Sequence, residues 1–268
     1  RDGWVFALCS HNGKLYDGGR YCKVFETLTG KVVALRDSLV RALCSHNGIL
    51  YDGGDYCKVY DTLTGKEVAS RDGWVFALCS HNGKLYDGGR YCKVFETLTG
   101  KVVALRDSLV RALCSHNGIL YDGGDYCKVY DTLTGKEVAS RDGWVFALCS
   151  HNGKLYDGGW YCKVFETLTG KVVAERNYSV FALRSHNGKL YDGGEYGKIF
   201  ETLTGKEVAL RDDWIWTLCS HNGELYDGGF YDGVFETLTG KLVTWRSDRI
   251  SALCSHPRKY FVEAGILK

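Results

Sequence analysis

A 35-residue period runs the length of this chain and constrains its fold more than any other feature. Arg1-Asp2-Gly3-Trp4-Val5 returns at 71 and 141, and the related Arg36-Asp37-Ser38-Leu39-Val40 returns at 106. Further copies start at Arg176, Arg211 and Arg246. Seven full copies (1–35, 36–70, 71–105, 106–140, 141–175, 176–210, 211–245) and a partial eighth (246–268) account for all 268 residues. Residues 1–70 are identical to 71–140, so a two-repeat unit has been copied whole, by recent duplication or by deliberate construction. A fixed period of this size means one supersecondary unit that buries its faces only against its neighbours.

Within one copy, alternation and turn residues mark four short strands. Val5–Ser10 closes on Asn12-Gly13, a pair that tolerates the positive φ of a tight hairpin. Lys14–Asp17 ends at Gly18-Gly19, Lys23–Thr27 stops at Thr29-Gly30, and Lys31–Leu35 completes the unit. Four strands and their turns leave no room for a helix. A four-stranded antiparallel unit repeated about eight times is best accommodated as blades around an axis, which buries both faces of every sheet and removes the open ends. The fold class expected is therefore all-β, a β-propeller formed by 1–268 as a single domain. A β-solenoid has shorter coils, and the leucine ladder of a leucine-rich array is missing.

Eight first strands imply eight blades, with seven as the alternative. The last copy supplies Ile250–Cys254 and Lys259–Glu263 and then ends, so an eighth blade would lack its outer strands.

The segments Val-x-Ala-Leu-x-Ser-x-Asn-Gly-Lys-Leu and Lys-Val-Tyr60-Asp61-Thr-Leu-Thr-Gly-Lys-Glu-Val resemble the WD repeat in essentially every copy. The motif is degenerate. Phe25-Glu26, Tyr60-Asp61 and their equivalents stand where that family has Trp-Asp, and Arg-Asp replaces its Gly-His. The family's His–Ser–Asp–Trp network is thus not expected, and a substitute between the Arg-Asp pair and Asp17-type residues is. The resemblance implies a non-catalytic binding scaffold.

Composition narrows the function classes. Lys plus Arg is 34 and Asp plus Glu is 32, a net +2, without the basic surplus of a nucleic-acid protein. No stretch reaches the ~18 apolar residues of a membrane span, so neither nucleic acid nor membrane is an expected partner. No signal-peptide pattern opens the chain, and with 0 Met its natural start is expected to lie outside this sequence.

Twelve cysteines fall in two registers. Cys9, Cys44, Cys79, Cys114, Cys149, Cys219 and Cys254 lie in first strands; Cys22, Cys57, Cys92, Cys127 and Cys162 follow the Gly-Gly turn. The sixth copy has Arg184 and Gly197 instead. Cys9 and Cys22 sit at opposite ends of a blade, too far apart for a disulfide, and neither register has zinc-binding spacing. Unbridged thiols point to the cytoplasm; no metal and no cofactor is expected. All eight His, from His11 to His256, share one slot before the first turn. Ser10, His11 and Asp17 supply triad elements, but adjacent Ser and His point to opposite faces. Thr29-Gly30-Lys31 is a turn, since a Walker loop is longer and feeds a helix. An enzyme is not expected.

Individuality concentrates at three repeat positions. Position 4 holds Trp4, Leu39, Trp74, Leu109, Trp144, Ser179, Trp214 and Arg249; position 6 holds Phe6, Arg41, Phe76, Arg111, Phe146, Phe181, Trp216 and Ser251. Position 20 holds Arg20, Asp55, Arg90, Asp125, Trp160, Glu195 and Phe230. All three fall at one end of the sheet, forming one rim of the ring. Trp and Arg dominate interface hot spots, so this rim is the expected binding site for a protein or peptide: Trp4, Arg20, Arg41, Asp55, Trp74, Arg90, Arg111, Asp125, Trp144, Trp160, Glu195, Trp214, Trp216 and Phe230. Two alternatives stand beside it: a lectin-like propeller stacking glycans on Trp, and an amplified or engineered repeat protein with no dedicated ligand. The plainer account of the same residues is that the tryptophans pack between blades while Arg20 and Asp55 alternate in a salt-bridge ring.

Overall fold

The computed structural model describes residues 3–231 and 233–246, and these form seven four-stranded antiparallel sheets. The first blade is β1 (Val5–His11), β2 (Lys14–Gly19), β3 (Lys23–Glu26) and β4 (Lys31–Leu35), in that order from the axis outward. Asn12 (φ 45°) and Gly13 (φ 71°) make the tight turn that the Asn-Gly pair predicts. A register shift between Val5 and Ala7 marks a bulge at the head of β1. The facing Gly19 is obligatory: a Cβ there would stand 1.9 Å from the carbonyl oxygen of Trp4.

Each sheet buries both faces. Tyr16, Val24 and Ala34 meet Val40 and Leu50 of the second blade in one core. On the other side, Val5, Leu8, Leu15 and Tyr21 meet Cys219, Tyr226 and Val234 of the seventh. That second core decides the blade count. The face of blade one that an eighth blade would cover is already covered by blade seven, so the ring has seven blades and not the eight the first strands suggest. The first residue of the eighth copy instead completes blade one. Arg246 clamps Asp17 (2.9 and 2.6 Å) as Arg36 clamps Asp52 (2.7 and 2.6 Å). The rest of that copy, including Arg249, Ile250–Cys254, His256 and Lys259–Glu263, lies outside the described residues.

The clamp replaces the His–Ser–Asp–Trp network. In every blade an arginine at the end of one sheet reaches the fully buried aspartate on the second strand of the next. A tyrosine hydroxyl donates to the same carboxylate, as Tyr56 does to Asp52 (2.5 Å) and Tyr21 to Asp17. The guanidinium also stacks on the aromatic ring of the degenerate WD dipeptide: Arg36 on Tyr60 at 4.3 Å, Arg71 on Phe95 at 4.1 Å, Arg246 on Phe25 at 4.1 Å. Charge pairing, hydrogen bonding and stacking thus converge on one buried cation, as a desolvated charge requires. Of the Arg-Asp dipeptide only the arginine takes part; Asp37, Asp72 and Asp107 are exposed.

The repeated histidine is a second joint. His11 Nδ1 meets Ser45 Oγ of the next blade at 2.8 Å, and the contact recurs at every step until His221 meets Ser10 at 2.9 Å. Seven such contacts close the circle. Burial lowers the imidazole pKa at each of them.

Candidate functional site

The loops entering each first strand and the turns between second and third strands share one rim, held by backbone hydrogen bonds such as Arg20 N–H to Trp4 O (2.9 Å) and Arg36 N–H to Cys22 O (2.8 Å). Positions 4, 6 and 20 therefore converge there. The rim divides into two sectors.

Blades two and four carry the charge. Arg41 makes a two-pronged pair with Asp55 (2.8 and 3.1 Å), and Arg111 repeats it with Asp125 (2.8 and 3.0 Å). In blades one and three, Arg20 lies over Trp4 at 4.4 Å and Arg90 over Trp74 at 4.7 Å. The alternating ring of Arg20-type and Asp55-type charges does not form, because Asp55 and Asp125 are each occupied within their own blade. Arg41 also lies 4.6 Å over Phe6.

Blades five, six, seven and one carry a continuous arc of aromatic rings. Trp144 meets Trp160 (5.3 Å), Phe146 meets Phe181 (5.2 Å), and Phe181 meets Trp216 (4.8 Å). Phe230 then stacks on Trp216, Trp214 and Trp4 at 5.4, 4.9 and 4.3 Å. Glu195 accepts a hydrogen bond from Ser179 (3.0 Å) at the edge of this arc. Burial, and after it Glu195, pushes the Cys162 thiol up.

The position-4 tryptophans do not behave alike. Trp144 is 40% exposed, and its neighbour Trp160 is 57% exposed. Trp4, Trp74 and Trp214 are half-buried, engaged by Arg20, Arg90 and Phe230. Across the blade joints Phe230 meets Trp4 at 4.3 Å, Arg41 lies 5.9 Å over Trp74 and Phe181 meets Trp214 at 5.6 Å, so these three are partly packed between blades. Inside the arc, Arg41, Phe76, Arg111, Phe146, Phe181 and Trp216 line a cavity of about 60 Å³ at the throat of the axial channel. Nε and Nη2 of both arginines are committed to aspartates, while Nη1 of each makes no hydrogen bond among the described residues. Phe76, Phe146 and Phe181 share a position with Arg41 and Trp216, a signal that could have added them to the expected site. Tyr178, also exposed, was masked by the glycine or serine that most copies have there.

Chemically the rim offers flat apolar faces beside fixed hydrogen-bond donors. Among the described residues no three His, Cys, Asp or Glu side chains converge to hold a metal ion.

No protein-family model matches the chain, and no curated protein matches it. Solved structures do. The crystal structure of the computationally designed Ika8 protein is similar at 26% identity, with a TM-score of 0.62 over 91% of this chain and 87% of that one. The WD40 beta propeller domain of Doa1 is similar at 17% identity, with a TM-score of 0.68 over 85% of this chain and 90% of that one. The fold is that of a WD40-type propeller. At 17% identity the second likeness speaks to fold alone.

Proposed function

We propose that the chain is a non-catalytic scaffold whose aromatic rim engages a protein or peptide. The observation that carries this reading is the pair Trp144 and Trp160, 5.3 Å apart and both exposed, at one end of a contiguous aromatic arc. Rigid aromatic rings on a fixed frame lose little entropy on binding and dominate interface energies. The throat beside them would take one side chain, with Nη1 of Arg41 and Arg111 available to a backbone carbonyl. Among the described residues no disulfide joins the cysteines, which suits a partner met in a reducing compartment such as the cytoplasm.

Panning a random peptide library on the whole chain tests this. Selected peptides are expected to lose binding to a Trp144→Ala/Trp160→Ala variant and keep it for a Leu28→Ser/Leu63→Ser variant on the opposite face. Peptides indifferent to both, or a library yielding none while a glycan array gives sugars that depend on Trp160, would replace the reading with the lectin-like one.

A second reading rests on the perfect 70-residue duplication and the likeness to a designed propeller. On it, the chain is an amplified repeat with no dedicated ligand, and neither library nor array yields a rim-dependent binder.

A further inference from the structure

The face opposite the rim is built from the turns at Asn12-Gly13 and Thr29-Gly30 and their equivalents in the other blades. Two side chains recur there in all seven blades. Leu28 and its equivalents, from Leu63 to Leu238, are each 45–52% exposed. Lys31 opens β4, and it and its equivalents, from Lys66 to Lys241, are exposed and in no ion pair among the described residues. Glu26 stands across the ladder from Lys31, but Lys14 already holds it at 2.8 Å. Leucines exposed singly are ordinary; a ring of them flanked by a ring of lysines is a patterned surface.

The other end of the outer strand repeats this pattern with the charge reversed. Leu35, Leu105, Leu210 and Trp245 are exposed where that strand closes on the rim face. Two residues past it, Asp37, Asp72, Asp107, Asp142 and Asp212 are exposed and again in no ion pair among the described residues. The sixth blade has Asn177 at that place. Groups outside ion pairs set the sign of each face. On the turn face the lysines outnumber Asp61, Asp131, Glu224 and Glu236. On the rim face these aspartates, with Asp213 and Glu195, outnumber Arg20, Lys23, Arg90 and Lys93. The ring is therefore basic on one face and acidic on the other.

We infer that the turn face receives the rim face of a second copy, so that rings stack head to tail on a common axis. Leu28 and Lys31 flank one end of the outer strand, Leu35 and Asp37 the other, so both sets lie toward the circumference. Both also step around the axis blade by blade, and one rotation brings every blade into register. A lysine–aspartate contact at a surface is weak alone, but a ring of them on two rigid frames acts together. Charge rejects the other pairings. Two turn faces would set lysines against lysines, and two rim faces aspartates against aspartates. The head-to-tail contact joins unlike surfaces and leaves one of each free at the ends, so it continues as an open stack. It uses the circumference of the rim, outside the throat, and stands whatever the aromatic arc binds.

Sedimentation velocity on the whole chain tests this. The parent is expected to form species of increasing size as concentration rises at low salt, and to return to monomer at high salt. Lys31→Glu/Lys101→Glu/Lys171→Glu should weaken assembly by more than about 100-fold, because it sets like charge against the facing aspartates. Asp37→Lys/Asp107→Lys/Asp212→Lys moves the net charge the opposite way and should weaken it as much, which an effect of net charge alone would not do. Circular dichroism confirms folding, and Leu28→Ser/Leu63→Ser/Leu98→Ser, also expected to weaken assembly, serves if a charge reversal does not fold. A photocrosslinking amino acid in place of Leu168 should join one copy to residues 35–39 of another, or to their equivalents, by mass spectrometry. A parent still monomeric at about 100 µM and low salt, lysine reversals that assemble as the parent does, or crosslinks from turn face to turn face would overturn the stack. So would a monomer held to phosphatidylserine vesicles by these lysines, which would assign the face to a lipid surface instead.

Discussion

Replacing Asp122 by alanine isolates the clamp that joins blades three and four. Asp122 is fully buried and takes Arg106 Nε at 2.7 Å, Arg106 Nη2 at 2.6 Å and the Tyr126 hydroxyl at 2.5 Å. Truncation leaves a guanidinium in place with its side chain 8% exposed, at a cost of about 3–5 kcal/mol for an abandoned buried charge. The orphaned hydroxyl adds about 1–3 kcal/mol. The two losses share one vacated space and do not add in full, so about 4–6 kcal/mol is expected. For a domain of this size that lowers the melting temperature by roughly 10–20 °C. The triple change Arg106→Met, Asp122→Leu, Tyr126→Phe, which removes charge and partners together, should come within about 2 kcal/mol of the parent. Urea unfolding followed by tryptophan fluorescence reads all of these. An Asp122→Ala variant as stable as one altered at the exposed Lys128–Glu137 pair would refute the reasoning.

Three further outcomes follow from the same joints. Arg246→Ala should cost as much as Arg106→Ala in urea unfolding, because both guanidiniums clamp a buried aspartate and stack on a ring; a neutral Arg246→Ala would deny the closure. The seven buried imidazoles have pKa values below the 6.5 of an unfolded chain, so between those values the unfolded state binds more protons. The urea midpoint should be level above about pH 7 and fall from pH 6.5 to 5.5, whereas a midpoint unchanged across that interval would contradict the buried joints. Gly124→Ala should prevent folding, since its Cβ would meet the Leu109 carbonyl at 1.9 Å, while a Cβ at Gly123 would meet only side-chain atoms, nearest the Val145 methyl at 2.7 Å and Val145 Cβ at 3.0 Å, and Gly123→Ala should cost about 1–3 kcal/mol by thermal melting.

The strands and hairpins were legible because Asn12-Gly13, Gly18-Gly19 and Thr29-Gly30 are local signals with local causes. The convergence of positions 4, 6 and 20 on one rim followed from antiparallel alternation alone. Blade count was not legible. Whether a copy opens a new blade or completes the first depends on which surface covers Val5, Leu8 and Leu15, and that is a contact between residues more than 200 apart. The Arg-Asp pair reads as a partner for Asp17-type residues, and Arg36 does take Asp52, 16 residues on; that the arginine leaves one sheet to clamp the next, and stacks on the ring of the Phe-Glu or Tyr-Asp pair, emerges only when neighbouring sheets meet. The turn cysteines carried a missed signal. Cys22, Cys57 and Cys127 adopt φ of 54°, 58° and 58°, a left-handed conformation that Gly197 adopts at the same place with φ 67°. The exchange of cysteine for glycine was visible in the sequence, but its backbone meaning was not. Exposure of Trp144 against packing of Trp4, Trp74 and Trp214 was equally hidden, since it depends on which side chain of the neighbouring blade, Phe230, Arg41 or Phe181, comes alongside.

The clamps, the histidine joints and the rim all depend on a ring of seven, and a set of distances tests it directly. Position 14 of each repeat is exposed at the tip of a first turn, so spin labels carried there on a genetically encoded ketone amino acid leave the thiols untouched. The pair 154/189 measures one blade step and the pair 119/189 measures two. By double electron–electron resonance, the pair 14/224 should match the one-step distance of 154/189. A value matching the two-step distance would place another blade between the first and the seventh, and would contradict the account.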